Sequence, residues 1–223
     1  MPDTATAVLT PRWPLVLFDL DGTLANSLDV IVASYEYAFG TVTGRVIARA
    51  EALTWIGQGL DQTFGREDPA HAAALSAAYR EFNEAHVDAM ITGYPGVPDL
   101  LRDLRAAGVV TGVVTAKRRP IALRTMRLAG VEGLIDLAAS DEDTLAHKPD
   151  PAPLLAACAR LGLEPSTGCY VGDAIGDMRA AQGAGMAAIA VTWGAGVEAD
   201  LVATRPDALC PDVPALRHVL SVG

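Results

Sequence analysis

Residues 15–24 read Leu15-Val16-Leu17-Phe18-Asp19-Leu20-Asp21-Gly22-Thr23-Leu24, four apolar side chains that stop abruptly at two acidic residues and a glycine. An unbroken apolar run with no alternating polar face predicts a strand buried on both sides, as in a parallel sheet covered by helices. The carboxylates of Asp19 and Asp21 leave the end of that strand together, and Gly22 lets the backbone turn tightly around whatever they hold.

Working outward from this strand, helix and strand signals alternate from Asp99 to the C-terminal region. Helices are predicted over Asp99–Ala107, Ile121–Ala129, Pro151–Leu161 and Asp177–Gly183. Strands are predicted over Val109–Thr115, Leu134–Ala138, Cys169–Val171, Met186–Val191 and Ala208–Cys210. This alternation predicts an α/β fold, a Rossmann-like doubly wound parallel sheet whose ligands bind beyond the carboxyl ends of the strands. Between Ser27 and about Ile91 the pattern is helical throughout. Ser27 is placed to cap the first helix with Asp29 in its first turn, and Pro69 to open a long alanine-rich helix through Tyr79, Phe82 and Val87. A strand-free stretch of roughly 65 residues far exceeds an ordinary crossover, so it reads as an inserted all-helical cap domain with Tyr79 and Phe82 in its interior. Gly93 to Pro98 reads as the hinge back. The expected organisation is a tail over 1–13, a core over 14–24 and 93–223, and a cap over 25–92.

The length of 223 residues suits one large domain with a smaller insertion. The formal net charge of -10 disfavours nucleic acid and anionic membranes as partners. Cys158, Cys169 and Cys210 are widely spaced and form no CxxC pair, which indicates neither a zinc knuckle nor a disulfide framework and fits a reducing cytoplasm. Met1 to Pro14 lacks the basic, apolar, small-residue progression of a signal peptide. The longest uncharged stretch, Ala180 to Val197, is too interrupted by glycines to span a membrane.

Four constellations fall at predicted strand ends: Asp19-Leu20-Asp21-Gly22-Thr23, Thr115, Lys148-Pro149, and Gly172-Asp173 with Asp177 four residues on. Carboxylates converging on one point repel each other unless a hard cation lies between them, and oxygen-only ligands select Mg²⁺ over zinc or copper. A bound Mg²⁺ attracts phosphate oxygens, which Thr115 and Lys148 are placed to share. An aspartate held in line with phosphorus becomes a nucleophile, and a second carboxyl beside it can carry the proton for the leaving group. Gln58, flanked by Gly57 and Gly59, is the cap residue best placed to approach the site. Arg45, Arg49, Arg66 and Arg80 read as solvated charges of the cap, and His147 as a loop residue beside Lys148.

The ordered set Asp19-x-Asp21-Gly22-Thr23, Thr115, Lys148-Pro149 and Gly172-Asp173-x3-Asp177 resembles the haloacid dehalogenase superfamily, on its phosphatase branch with a helical cap. Ile56-Gly57, Tyr79-Arg80-Glu81-Phe82-Asn83, Tyr94-Pro95, Lys148-Pro149-Asp150-Pro151 and Thr192-Trp193-Gly194 resemble bacterial phosphoglycolate phosphatases and, more closely, small inorganic pyrophosphatases related to them. The resemblance implies a Mg²⁺-dependent phosphohydrolase of a small phosphorylated metabolite. In it Asp19 is nucleophile and metal ligand, and Asp21 is acid/base with its backbone carbonyl on the metal. Thr115 binds a phosphoryl oxygen, Lys148 neutralises the transferred group, Asp173 binds Mg²⁺, and Asp177 orients Lys148 or a metal-bound water. Leu20, Gly22, Thr23 and Ala116 belong to the implied substrate-binding loops. Ala116 departs from the Asn, Ser or Thr found in many relatives, which removes a side-chain contact near the substrate.

Competing readings have less support. An EF-hand needs glycine sixth and glutamate twelfth in its loop; counted from Asp19, glycine is fourth and Val30 is twelfth. Gly183-Ala184-Gly185-Met186-Ala187-Ala188 spells a dinucleotide fingerprint but follows a helix and precedes a strand, the reverse of the required order. There is no HExxH and no Gly-x-Ser-x-Gly elbow. A phosphomutase on the same scaffold and a non-catalytic phosphate or metal sensor stay open as alternatives.

Overall fold

The apolar run forms β1 (Leu15–Phe18), every residue of which is buried. The computed structural model describes residues 10–221. After β1 come β2 (Ala25–Asn26), α1 (Leu28–Val42), α2 (Arg49–Leu53), α3 (Leu60–Glu67), α4 (Ala72–Met90) and β3 (Thr92–Gly93). Helices and strands then alternate as α5 (Val97–Ala106), β4 (Val110–Val114), α6 (Arg119–Leu128), β5 (Asp136–Ala139), α7 (Ala152–Leu161), β6 (Gly168–Gly172), α8 (Ile175–Ala184), β7 (Ala187–Val191), α9 (Glu198–Ala203), β8 (Ala208–Cys210) and α10 (Val213–Leu220).

Six strands form one sheet in the order β5-β4-β1-β6-β7-β8, with every pairing parallel. The chain winds outward from β1 through β4 to β5, then returns to the other side of β1 at β6. The order therefore reverses around β1, and the crevice beyond the carboxyl ends of β4, β1 and β6 is where a doubly wound sheet binds ligands. Alternate side chains of each strand feed opposite layers. Leu15, Leu17, Tyr170, Ala188 and Ala190 pack with Leu154, Met178 and Leu201 of α7, α8 and α9. Val16, Phe18, Val171, Ile189 and Val191 pack with Leu104, Met126 and Leu216 of α5, α6 and α10.

The cap helices pack chiefly through α1 and α4 around an aromatic cluster. The Tyr35 ring lies 5.1 Å from Trp55, 5.5 Å from Phe64 and 4.8 Å from Tyr79. Tyr79 and Phe82, both expected in the interior, are each half-buried: Tyr79 packs on this cluster, and Phe82 stacks on His86 beside Tyr37. The four cap arginines end on polar partners within the cap: Arg45 on Glu51, Arg49 on Asp29, Arg66 on Gln58 and Glu67, Arg80 on Asp61.

Several boundaries differ from the sequence reading. Pro69 lies in the turn after α3, and α4 starts at Ala72. The expected hinge is partly helical, because Pro98 enters the first turn of α5, where its missing N–H costs nothing. Ser27 takes the N-cap position of α1, yet its hydroxyl donates to the Asp21 carboxylate and caps nothing. The antiparallel pair β2–β3, with Ala25 opposite Gly93 and Asn26 opposite Thr92, is too short to leave a periodic signal. Of the expected tail, residues 1–9 lie outside the described residues, while the Arg12 N–H donates to the Leu220 carbonyl at 3.0 Å. Among the described residues no helix is long and apolar enough to cross a membrane.

A Cβ at Gly93 would stand 2.3 Å from the Ala129 carbonyl oxygen at the end of α6, which is backbone and cannot swing aside. Gly93→Ala is therefore expected to destabilise the protein by about 1–3 kcal/mol, read as a lower melting temperature. An unchanged melting temperature would mean that β3 is free to shift.

Candidate active site

The sheet carries the expected side chains to one end. Asp19 and Asp21 follow β1, Thr115 follows β4, Lys148 lies in the connection between β5 and α7, Asp173 follows β6, and Asp177 lies in the first turn of α8. All six are buried. The turn after β1 is closed by backbone bonds, with the Leu20 carbonyl accepting from Leu24 and Ala25 at 3.0 and 2.9 Å, and the Gly22 N–H donating to Ala25 at 2.9 Å. Gly22 has φ +78°, and a Cβ there would stand 2.2 Å from an Asp173 carboxylate oxygen, so both the turn and the approach of Asp173 require glycine.

The centre of the cluster is the Lys148 ammonium. Its Nζ donates to Asp19 Oδ1 at 2.8 Å, Asp177 Oδ1 at 2.6 Å and the Tyr170 hydroxyl at 2.9 Å, which engages all three of its protons. The Tyr170 hydroxyl donates in turn to the Val114 carbonyl at 2.9 Å, tying the lysine to β4 and β6. The second Asp177 oxygen accepts from the Ala174 N–H at 3.0 Å. Burial works against the Lys148 charge, but Asp177 and Asp19 outweigh it and hold the ammonium well above its usual range. Burial pushes the Asp19 carboxyl up to about 7, opposed by Lys148 and reinforced by Asp177 and Asp21.

Among the described residues Asp173 has no cationic hydrogen-bond partner. Its oxygens accept from the Thr23 hydroxyl at 2.9 Å and the Ala195 N–H at 2.7 Å. Burial, then the charges of Asp177 and Asp19, carry its carboxyl well above the carboxylate range. Asp19, Asp173 and Asp177 each present one oxygen within 4.8 Å of the others. This all-oxygen set of crowded, buried carboxylates fits a hard cation such as Mg²⁺, whose charge would relieve the repulsion. Both oxygens of Asp173 and of Asp177 accept hydrogen bonds, but one partner of Asp177 is the Lys148 ammonium whereas Asp173 accepts only from the neutral Thr23 and Ala195 donors, so Asp173, with Asp19, is the carboxylate left more in need of a cation.

Asp21 faces a different way. Its Oδ1 accepts from Lys117 Nζ at 2.5 Å and from the Ser27 hydroxyl. Asp19, Asp21, Thr115, Ala116, Lys117 and Gln58 border a cavity of about 380 Å³ that the cap roofs with Tyr35, Trp55 and Tyr79. His147 lies at its edge, with Gly59 of the cap against its ring. Gln58 reaches the cavity as expected, but its amide is engaged with the Thr54 carbonyl at 2.8 Å and Arg66 at 2.6 Å. Leu20, Gly22 and Thr23 do not border the cavity; they shape the turn and position Asp173. The sequence reading gave no role to Lys117 or Tyr170, whose long-range partners are set by the fold. The one local signal was that Lys117 follows the strand-end pair Thr115-Ala116.

The chain matches the model of the haloacid dehalogenase-like hydrolase family over residues 16–191. It is 35% identical over 192 residues to Pyrophosphatase PpaX of Bacillus pumilus, covering 86% of this chain and 89% of that one. To Pyrophosphatase PpaX of Bacillus cereus it is 32% identical over 206 residues, 92% and 95% of the two chains. The fold aligns at a TM-score of 0.80 and 26% identity with a crystal structure of a predicted phosphoglycolate phosphatase from Haemophilus somnus, over 93% of this chain and 98% of that one. Since the family match begins within β1, ends with β7 and encloses every strand end that supplies the acidic cluster, the chain belongs to the haloacid dehalogenase-like hydrolases.

Proposed function

We propose that the chain is a Mg²⁺-dependent phosphohydrolase of small phosphorylated metabolites, of the pyrophosphate or phosphoglycolate kind, acting through an aspartyl phosphate on Asp19. The observation that carries this reading is the buried Asp19–Lys148–Asp177 cluster at the switch point of the sheet, beside a cavity that the cap roofs. The names of the relatives support the substrate kind.

In this reading an Asp19 carboxylate oxygen attacks phosphorus, the bond from phosphorus to the leaving oxygen breaks, and Asp21 supplies a proton to that oxygen. Water then attacks the aspartyl phosphate, Asp21 takes its proton, and phosphate leaves with Asp19 restored. Lys148, with its protons engaged, acts by holding positive charge beside Asp19 as negative charge builds on the transferred group. Thr115 binds a phosphoryl oxygen, and Asp177 keeps Lys148 in place. Asp19, Asp173 and the Asp21 backbone carbonyl would hold Mg²⁺, which supplies further neutralisation of phosphoryl charge. Residues 25–92 serve as the cap, excluding bulk water during transfer. The free thiols of Cys158, Cys169 and Cys210 support a reducing cytoplasm, and the net charge of -10 supports a small metabolite over nucleic acid or a membrane as partner.

Asp19→Asn is expected to lower kcat by at least roughly 10³-fold in a phosphate-release assay with Mg²⁺ while keeping the wild-type circular dichroism. Substantial residual turnover would remove Asp19 from its role, and rearrangement of a sugar phosphate without free phosphate would favour a mutase. The metal assignment has a readout apart from activity. In chelator, Asp173→Asn removes a buried, unneutralised charge while the Thr23 hydroxyl turns to accept from the new amide, so the melting temperature is expected at or above wild type. Added Mg²⁺ is expected to raise the wild-type melting temperature and leave that of Asp173→Asn unmoved; equal shifts in both would place the metal elsewhere.

A further inference from the structure

The cations around the cavity differ in what they hold. Arg80 pairs with Asp61 at 3.0 Å, Arg118 with Glu142 at 3.3 Å and Arg124 with Asp88 at 2.7 Å, all solvent-accessible pairs at the rim. Lys117 alone of the described cavity-lining lysines and arginines is mostly buried, with its side chain 12% exposed, and its carboxylate partner is Asp21. Its backbone is anchored at both ends: its N–H donates to Thr115 Oγ1 at 3.1 Å, and its carbonyl accepts from the Asp141 N–H at 3.0 Å. The ammonium is therefore delivered to a defined place, against the carboxylate that would serve the leaving group and on the wall of the open cavity.

We propose that Lys117 is a specificity-determining residue of this site, selecting phosphoryl compounds whose leaving group is itself an anion by donating to that group while it holds Asp21. The inference rests on the phosphohydrolase reading above and narrows its substrate class. An ammonium carries three N–H donors, and one bond to Asp21 leaves the charge able to serve a second acceptor. A leaving group that bears its own negative charge is attracted by the Lys117 ammonium beside the group that protonates it, whereas a neutral alcohol gains nothing from that charge. Ala116 has no polar side chain to offer at the neighbouring position, so the contact falls to Lys117. Two kinds of compound share this chemistry: a phosphoanhydride, whose leaving group is phosphate, and a phosphomonoester whose alcohol bears a carboxylate.

The test compares kcat/KM of wild type, Lys117→Met and Lys117→Arg, with Mg²⁺, on pyrophosphate, phosphoglycolate and 2-hydroxyethyl phosphate, the last being phosphoglycolate with its carboxylate replaced by a neutral group. Wild type is expected to favour at least one anionic-leaving-group compound over 2-hydroxyethyl phosphate. Lys117→Met is expected to reduce that preference about tenfold to a hundredfold, with Lys117→Arg recovering part of it, and the compound losing most identifies the kind of substrate. A uniform loss on all three compounds, or no preference in wild type, would overturn the proposal and leave the phosphohydrolase reading intact. No turnover of any of the three by wild type would overturn the phosphohydrolase reading itself. Melting temperatures check each variant, and Lys117→Gln replaces the methionine variant if that one does not fold.

Discussion

The Lys148 ammonium is bound to two carboxylates and a phenol in a place almost without solvent, and the arrangement of the site follows from what that contact demands. A charge taken out of water is costly unless paired and fully hydrogen-bonded, and removing one partner of a buried pair typically costs about 3–5 kcal/mol. Every proton of Lys148 has a partner, each supplied by a rigid part of the fold: Asp19 by the end of β1, Tyr170 by the middle of β6, Asp177 by the first turn of α8. The remaining imbalance is negative. Among the described residues Asp19, Asp173 and Asp177 crowd together with one cation, Lys148, and burial with their mutual repulsion raises the pKa values of Asp19 and Asp173, an imbalance that a hard cation would relieve.

Holding such a cluster requires stiffness around it. The turn after β1 is closed by its own backbone bonds, and the Thr23 hydroxyl fixes Asp173 from across the crevice. The loop after β7 adds a second brace, since the Ala195 N–H donates to Asp173 and the Trp193 indole donates to the Thr23 carbonyl at 3.2 Å. Residues far apart in the chain thus support one carboxylate. Preorganisation of this kind means that little reorganisation is needed as charge develops on a bound phosphoryl group.

The cap follows a separate logic. Its aromatic rings join α1 to α4 directly, and its arginines are satisfied by its own acidic and amide groups. Contact with the core runs through fewer groups, including Arg124 of α6 on Asp88 of α4, and Gly59 against His147. The cap contributes both aromatic and apolar walls, such as Tyr35, Trp55 and Ile56, and polar ones, such as Gln58, Asn83 and Glu84, while Lys117, the mostly buried cation of the cavity, comes from the core.

Much of this was legible in the chain itself. Unbroken apolar runs alternating with helical periodicity determined a parallel α/β sheet, because burial on both faces leaves no other pattern, and the chemistry-bearing residues stood at strand ends where such a sheet places its ligands. Asp19, Asp173, Lys148 and Asp177 could be nominated from spacing and residue type. Features that depend on partners distant in sequence were decided only by the tertiary structure. Ser27 carried every local mark of a helix cap, yet its hydroxyl serves the buried carboxylate of Asp21, six residues back across the closed turn after β1. Thr23 reads as a substrate contact but turns to Asp173, 150 residues away. Tyr170 carries no local signal of a site role and Lys117 only its place after a strand end, since a lysine after a strand and a tyrosine within one are ordinary until packing sets Asp21 and Lys148 beside them. Sequence determines which groups stand at the ends of the strands; the contacts among those groups depend on how the loops close, and that is set by the whole fold.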